Sequence, residues 1–110
     1  VTYTPQQLIA MLPELFLPEV AGRTKALVHI DLTGTDGGQW WVAIADGQCV
    51  VGDGTPDARP DVTMAAAASD YVKIRLGQLD PVAATMRGQL KITGKFGTAV
   101  KFAKMFRKIE

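Results

Sequence analysis

The chain carries a single cysteine, Cys49, and a single histidine, His29. One cysteine excludes an internal disulfide and any cysteine-based metal cluster, and fits a reducing compartment. One histidine excludes the paired-histidine metal motifs. No Walker loop, dinucleotide glycine motif or G-x-S-x-G elbow occurs. Gly52-Asp53-Gly54 is glycine-bearing but opens no helix at phosphate-cradling spacing. No apolar run approaches the roughly 20 residues of a membrane span. The first residues show no signal-peptide pattern, and the terminal Arg107-Lys108-Ile109-Glu110 matches no address or lipidation motif. A soluble cytoplasmic protein is expected.

What is present suits one globular domain over residues 1–110. Apolar residues make up 47% and charged residues 21% of the 110, which supports one hydrophobic core and argues against disorder. The net charge is only +1, so nucleic acid is not an implied partner. The charge is unevenly spread. Residues 1–54 hold two basic and six acidic side chains, and residues 55–110 hold ten basic and five acidic. The basic half suits an anionic head group or an anionic membrane surface.

Thr4-Pro5-Gln6-Gln7 reads as a helix start, with Thr4 as cap, Pro5 in the first turn and Gln7 completing a capping box. Leu8, Met11, Leu12 and Leu15 follow at helical spacing, and Pro13 and Pro18 interrupt them. From Lys25 to Thr33 the pattern alternates, with Ala26, Val28, Ile30 and Leu32 on one face. After a turn at residues 35–38, Gln39 to Ala45 forms a second strand with Trp40, Val42 and Ile44 on one face. Asp46-Gly47 is a two-residue hairpin turn, and Cys49 to Val51 is the return strand. Asp61 to Ala65 is a fourth strand bearing Val62 and Met64. Ser69 is expected to cap a helix that Gly77 stops, Asp80-Pro81 to start another, and Leu90 and Ile92 to form the inward face of a fifth strand. The order is α+β.

The last helix is expected over Phe96 to Ile109. On a wheel, Phe96, Ala99, Val100 and Ala103 cluster, and Phe102, Met105, Phe106 and Ile109 widen the apolar arc to roughly 200°, where packing on a sheet needs about 100° or a little more. Three explanations stand: full burial in a small core, a partner interface, or the wall of an apolar cavity. Met11, Met64, Met86 and Met105 fall in four separate elements, and such flexible side chains suit irregular gaps.

Catalytic chemistry is not indicated. His29 lies mid-strand on the polar face with no evident partner. Cys49 has no neighbouring histidine to activate it. Asp31, Asp53, Asp57 and Asp61 fall mostly in turns, where turn chemistry explains them. Trp40-Trp41 lacks the basic interleaving of a nucleic-acid platform. Non-covalent binding is favoured, with neither cofactor nor metal.

Four stretches in order resemble the sterol carrier protein type-two family, or sterol-binding domain. "WWVAIADGQCVVGDG" is similar to its central hairpin, and "PDVTMAAAASDYVKIRLGQLDP" to the segment after it. "MRGQLKITG" resembles its G-x-h-K-h-x-G strand (h, apolar), and "AVKFAKMF" its following helix. Lys95 departs from the Asp or Asn common in many members. The resemblance implies a five-stranded, largely antiparallel sheet with helices packed on one face and an apolar tunnel between them. It implies non-catalytic binding and intracellular carriage of a fatty acid, fatty acyl-CoA or sterol-like lipid. Face assignment then puts Trp40, Val42, Ile44, Met64, Val72, Leu76, Met86, Leu90, Ile92, Val100, Phe102 and Phe106 around the ligand. Burying a 16-carbon chain is worth on the order of 10 kcal/mol before binding costs. Arg75, Arg87 and Lys104 are the candidate head-group cations at the mouth. The competing reading is a ligand-free accessory or oligomerisation module, with a second copy of the chain against its last helix.

Overall fold

The reciprocal cap expected at the start is present in the computed structural model, which describes residues 3–109. The Gln7 N–H donates to Thr4 Oγ1 at 3.2 Å, and the Thr4 N–H donates to Gln7 Oε1 at 2.9 Å. Helix α1 (Pro5–Ala10) is followed by two four-residue helices, α2 (Leu12–Leu15) and α3 (Pro18–Ala21). Pro13 and Pro18 cause this division, because proline lacks an N–H and is tolerated only in a helix's first turn.

Strands β1 (Ala26–Thr33), β2 (Gly38–Ala45), β3 (Gln48–Asp53), β4 (Val62–Ala67) and β5 (Leu90–Gly94) form a sheet of order β3-β2-β1-β4-β5. The first three make the expected antiparallel meander, and β5 is antiparallel to β4. β4 joins β1 in parallel, so the sheet is mixed. Asp46 and Gly47, at φ 53° and 71°, make the β2–β3 turn, where both residues must accept positive φ.

Strand alternation divides the sheet into two unlike faces. Val28, Ile30, Val42, Ile44 and Val62 are all 1% exposed or less, and the register sets Val28 between Val42 and Val62. On the other face Leu27, His29, Trp41 and Ala43 are half-buried. The buried face lies beneath the helices. Helix α4 (Ala68–Arg75) packs on β1 and β4, α5 (Pro81–Met86) on β5, and α6 (Phe96–Ala103) on β4 and β5. Helix α1 packs against α4, and α2 against β3. Among the described residues no helix is long and apolar enough to cross a membrane.

Two local expectations need correction. Ser69 does not cap α4. β4 runs directly into the helix, Ala67 takes the cap position without a side-chain bond, and Ser69 falls inside the first turn. The final helix stops at Ala103 instead of Ile109. Beyond it the backbone finds partners in the N-terminal segment. The Leu17 N–H donates to Met105 O at 2.6 Å and the Arg107 N–H to Leu15 O at 2.8 Å, closing an antiparallel bridge between Phe16 and Phe106. The Lys104 and Met105 N–H groups still donate to Lys101 O and Phe102 O in a last tight turn, and the cross-chain bonds at Met105 O and the Arg107 N–H then replace helical ones.

Candidate functional site

Ten of the twelve residues expected around a ligand join one apolar cluster over the covered face of the sheet. Trp40, Val42, Ile44, Leu90 and Phe102 are buried in it, and Met64, Val72, Leu76, Ile92 and Phe106 are half-buried against it. The other two do not. Met86 is 84% exposed on α5 and Val100 43% exposed on α6. α6 turns Ala99 and Phe102 to the sheet, which leaves Phe96 and Val100 outward. The large Phe102 ring takes the inward place because it has a partner there: Phe106 meets it edge-on, with ring centroids 5.0 Å apart. Met105 is fully buried. The Phe/Met part of the over-wide arc is therefore covered by this chain's own N-terminal segment.

The cluster also contains Leu8, Ile9, Phe16 and Tyr71. Leu8 was legible from helical spacing; Ile9 shares helix α1 with it, one position on and three before Leu12, while Phe16 belongs to the proline-broken segment, where periodicity is lost. Ile9 also reaches a recess between α1 and the β2–β3 hairpin. It has a volume of about 150 Å³ and is lined by Gln6, Ile9, Ala10, Trp40, Val51, Gly52 and Asp53. That is below the roughly 300 Å³ at which ordinary small-molecule pockets begin.

Few polar groups reach this interior. The Cys49 thiol is pushed up to about 11 by burial, so it stays protonated and inert at neutral pH. His29 lies on the opposite sheet face, its Nε2 2.9 Å from Gln39 Oε1. Asp61 is a structural junction: Oδ2 accepts the Leu27 N–H at 2.8 Å, and Oδ1 accepts from Lys95 Nζ at 3.3 Å. The Leu27 bond, opposed by some desolvation and assisted by Lys95, holds its carboxyl below the usual range. Lys95, the departure from the resembled family, thus ties the start of α6 to β4 without capping the helix by its side chain. Among the described residues no three His, Cys, Asp or Glu side chains converge to hold a metal ion.

Of the three candidate head-group cations, Arg87 and Lys104 are exposed. Arg75 is drawn inward. Its Nη1 donates to the Tyr71 hydroxyl at 2.8 Å, and the guanidinium carbon is 5.7 Å from the Tyr71 ring centroid. Burial raises the Tyr71 pKa, and the charge and hydrogen bond of Arg75 offset this only in part.

Residues 9–107 match the model of the SCP-2 sterol transfer family. Among curated proteins, the mouse (Mus musculus) hydroxysteroid dehydrogenase-like protein 2 is 40% identical over 87 residues, covering 79% of this chain and 18% of that protein. The chain spans about a fifth of the length of the curated relatives it matches. Among solved structures, palmitated SCP2L2 from Aedes aegypti superposes with a TM-score of 0.73 at 18% identity, covering 98% of this chain and 99% of that one. A stereoselective inverting sec-alkylsulfatase from Pseudomonas sp. superposes with a TM-score of 0.85 at 16% identity, over 98% of this chain and 17% of the sulfatase. At such identities the structural likeness establishes the fold.

Proposed function

The chain belongs to the SCP-2 sterol transfer family, and from that premise we propose that it is a non-catalytic domain that binds one hydrophobic lipid and carries it inside the cell. The observation that carries this reading is the helical cover of the sheet. It is divided into short pieces, and Met64 and Ile92 of the sheet and Leu76 at the end of α4 are only half-buried against the cluster. Separating such a cover exposes apolar surface without breaking sheet hydrogen bonds. The recess beside α1 is the natural point of entry, because its apolar floor of Ile9, Trp40 and Val51 leads to the sheet. A 16-carbon chain needs more room than the recess offers, so α1 moves away from the β2–β3 hairpin on binding.

Because the relatives are several times longer, the domain's carriage role extends to presenting lipid to an attached enzyme, as in a dehydrogenase-like protein. Exchange with membranes is part of the same reading. Residues 81–109 contain seven cationic side chains and no anionic one, and exposed Val82, Met86, Phe96 and Val100 lie on α5 and α6. The second reading, an oligomerisation module without ligand, draws on the exposed Phe96 and Val100.

Native mass spectrometry with organic extraction separates the two. A fatty acid or sterol retained at near one per chain supports carriage. A ligand-free mass, followed by failure of added fatty acid and sterol to bind, removes the carriage reading. A concentration-dependent dimer would then favour the second.

A further inference from the structure

Arg75 ends α4, and one guanidinium nitrogen is left over. Nη1 is satisfied by the Tyr71 hydroxyl, but Nη2 is shut off from water and has no hydrogen-bond partner among the described residues. No carboxylate among them lies within ion-pair distance of Arg75; the ion pair they form is Lys95–Asp61. The Tyr71 hydroxyl accepts from Arg75, and its own proton has no acceptor among the described hydrogen bonds. Two donors, one of them charged, therefore sit together without an acceptor.

Structure alone explains part of this. A cation at a helix C-terminus is favourable, and so is a guanidinium over an aromatic ring. Both account for Nη1 and the approach to the ring. Neither accounts for Nη2, since desolvating a charged N–H without an acceptor is costly. Native interiors rarely retain such a group without a use for it. The location is specific. Tyr71 is part of the apolar cluster, and α4 packs on β1, β4 and α1. Helix α1 in turn supplies Gln6, Ile9 and Ala10 to the recess. The donors thus lie at the border of the apolar cluster, one helix removed from the recess, whose lining includes neither of them. Burial keeps the Tyr71 proton in place at neutral pH, so the hydroxyl remains a donor. A carboxylate, with two oxygens for two donors, is the complement.

We propose that Arg75 and Tyr71 form the head-group site for the carboxylate of a long-chain fatty acid, so that the preferred ligand is the free acid and not a neutral sterol. This rests on the lipid-carriage reading, which it narrows.

The test compares hexadecanoic acid with hexadecan-1-ol, which has the same chain and no charge, and with cholesterol, by calorimetry at pH 8. The wild-type chain is expected to bind the acid at least tenfold more tightly than the alcohol. Arg75→Met removes that preference and leaves alcohol affinity within about twofold. Tyr71→Phe removes part of it. Arg75→Gln is shorter but keeps a polar N–H donor group without the charge, and gives the same result if Arg75→Met fails to fold. The carboxyl carbon of labelled hexadecanoic acid, followed by NMR, titrates at lower pH bound to wild type than bound to Arg75→Gln. Equal binding of acid and alcohol by wild type overturns the head-group site while leaving carriage intact, as does a preference for cholesterol. Failure of all three ligands overturns the carriage reading, and this proposal with it.

Discussion

Phe16 and Phe106 face each other across an isolated antiparallel bridge, with ring centroids 5.8 Å apart and planes inclined at 53°. The contact joins the proline-broken N-terminal segment to the residues after the last helix, and the Phe102 ring extends it. Phe16 is 9% exposed, so Phe16→Ala is expected to cost about 3 kcal/mol, as for other buried aromatics. Phe106→Ala, half-buried, costs less. Their coupling in a double-mutant cycle, measured by urea unfolding, is expected near 1 kcal/mol. Additive losses would mean that the rings do not act as a pair.

Asp61 sets a pH limit. Its folded pKa lies below its unfolded value, chiefly because the ionised carboxylate accepts the Leu27 N–H. The stability it contributes is therefore fully present above the unfolded pKa of about 3.9, and is lost as pH falls through the folded pKa. Asp61→Ala is expected to cost about 1 kcal/mol at pH 7, the scale of a charged hydrogen bond discounted for solvent screening. The difference from wild type should shrink below about pH 4. Thermal melts at pH 7 and pH 3 check this; a difference that stays constant would assign the loss to packing instead.

Trp41 lies over Gly52, its register partner on β3, so closely that a Cβ at Gly52 would overlap the indole ring. Gly52→Ala forces the ring off the open face of the sheet, at a cost of about 1–2 kcal/mol. A change in tryptophan emission should accompany it. In Trp41→Ala the same glycine substitution becomes nearly neutral, and a persistent cost there would locate the clash in the backbone.

Cys49 should resist alkylation. A thiol pKa pushed up by burial from 9.0 to about 11 reduces the thiolate at pH 8 by roughly 100-fold. Iodoacetamide labelling of the native chain is expected to be slower than that of the urea-unfolded chain by about this factor. Equal rates would mean that β3 opens readily.

Much of this architecture was legible because strand alternation and turn chemistry are local. Val28, Ile30, Val42 and Ile44 announced the buried face, and Asp46-Gly47 the hairpin. The end of the last helix was not legible. Residues 104–109 satisfy a helical wheel, yet the Arg107 N–H donates across the chain to Leu15 O and the Met105 carbonyl accepts from the Leu17 N–H. A contact spanning some 90 residues leaves no trace in periodicity. The rotation of α6 is not legible either: Phe96 and Val100 share the wheel's apolar arc, but the aromatic partners lie on the Phe102 side. The Arg75–Tyr71 pair was half visible. Its spacing is helical, but nothing in sequence distinguishes an arginine drawn inward from the exposed Arg87.

The outward residues of α5 and α6 are expected to meet a membrane surface. α5 and α6 both pack on the edge strand β5, so their outer sides belong to one end of the sheet. Val82, Met86, Phe96 and Val100 are exposed there, on the same elements or their ends as exposed Arg87, Lys101 and Lys104. Apolar side chains enter a lipid interface while each nearby cation contributes about 1 kcal/mol against an anionic surface. The chain is therefore expected to co-sediment with phosphatidylglycerol-containing vesicles and not with pure phosphatidylcholine, and to be released by about 0.5 M salt. Lys101→Glu with Lys104→Glu should weaken binding by at least tenfold. Met86→Ser with Phe96→Ser should weaken it without altering the salt dependence, because those residues contribute area and not charge. Vesicle binding indifferent to both pairs would move the contact to another face, and binding to heparin as tight as to vesicles would identify a polyanion surface.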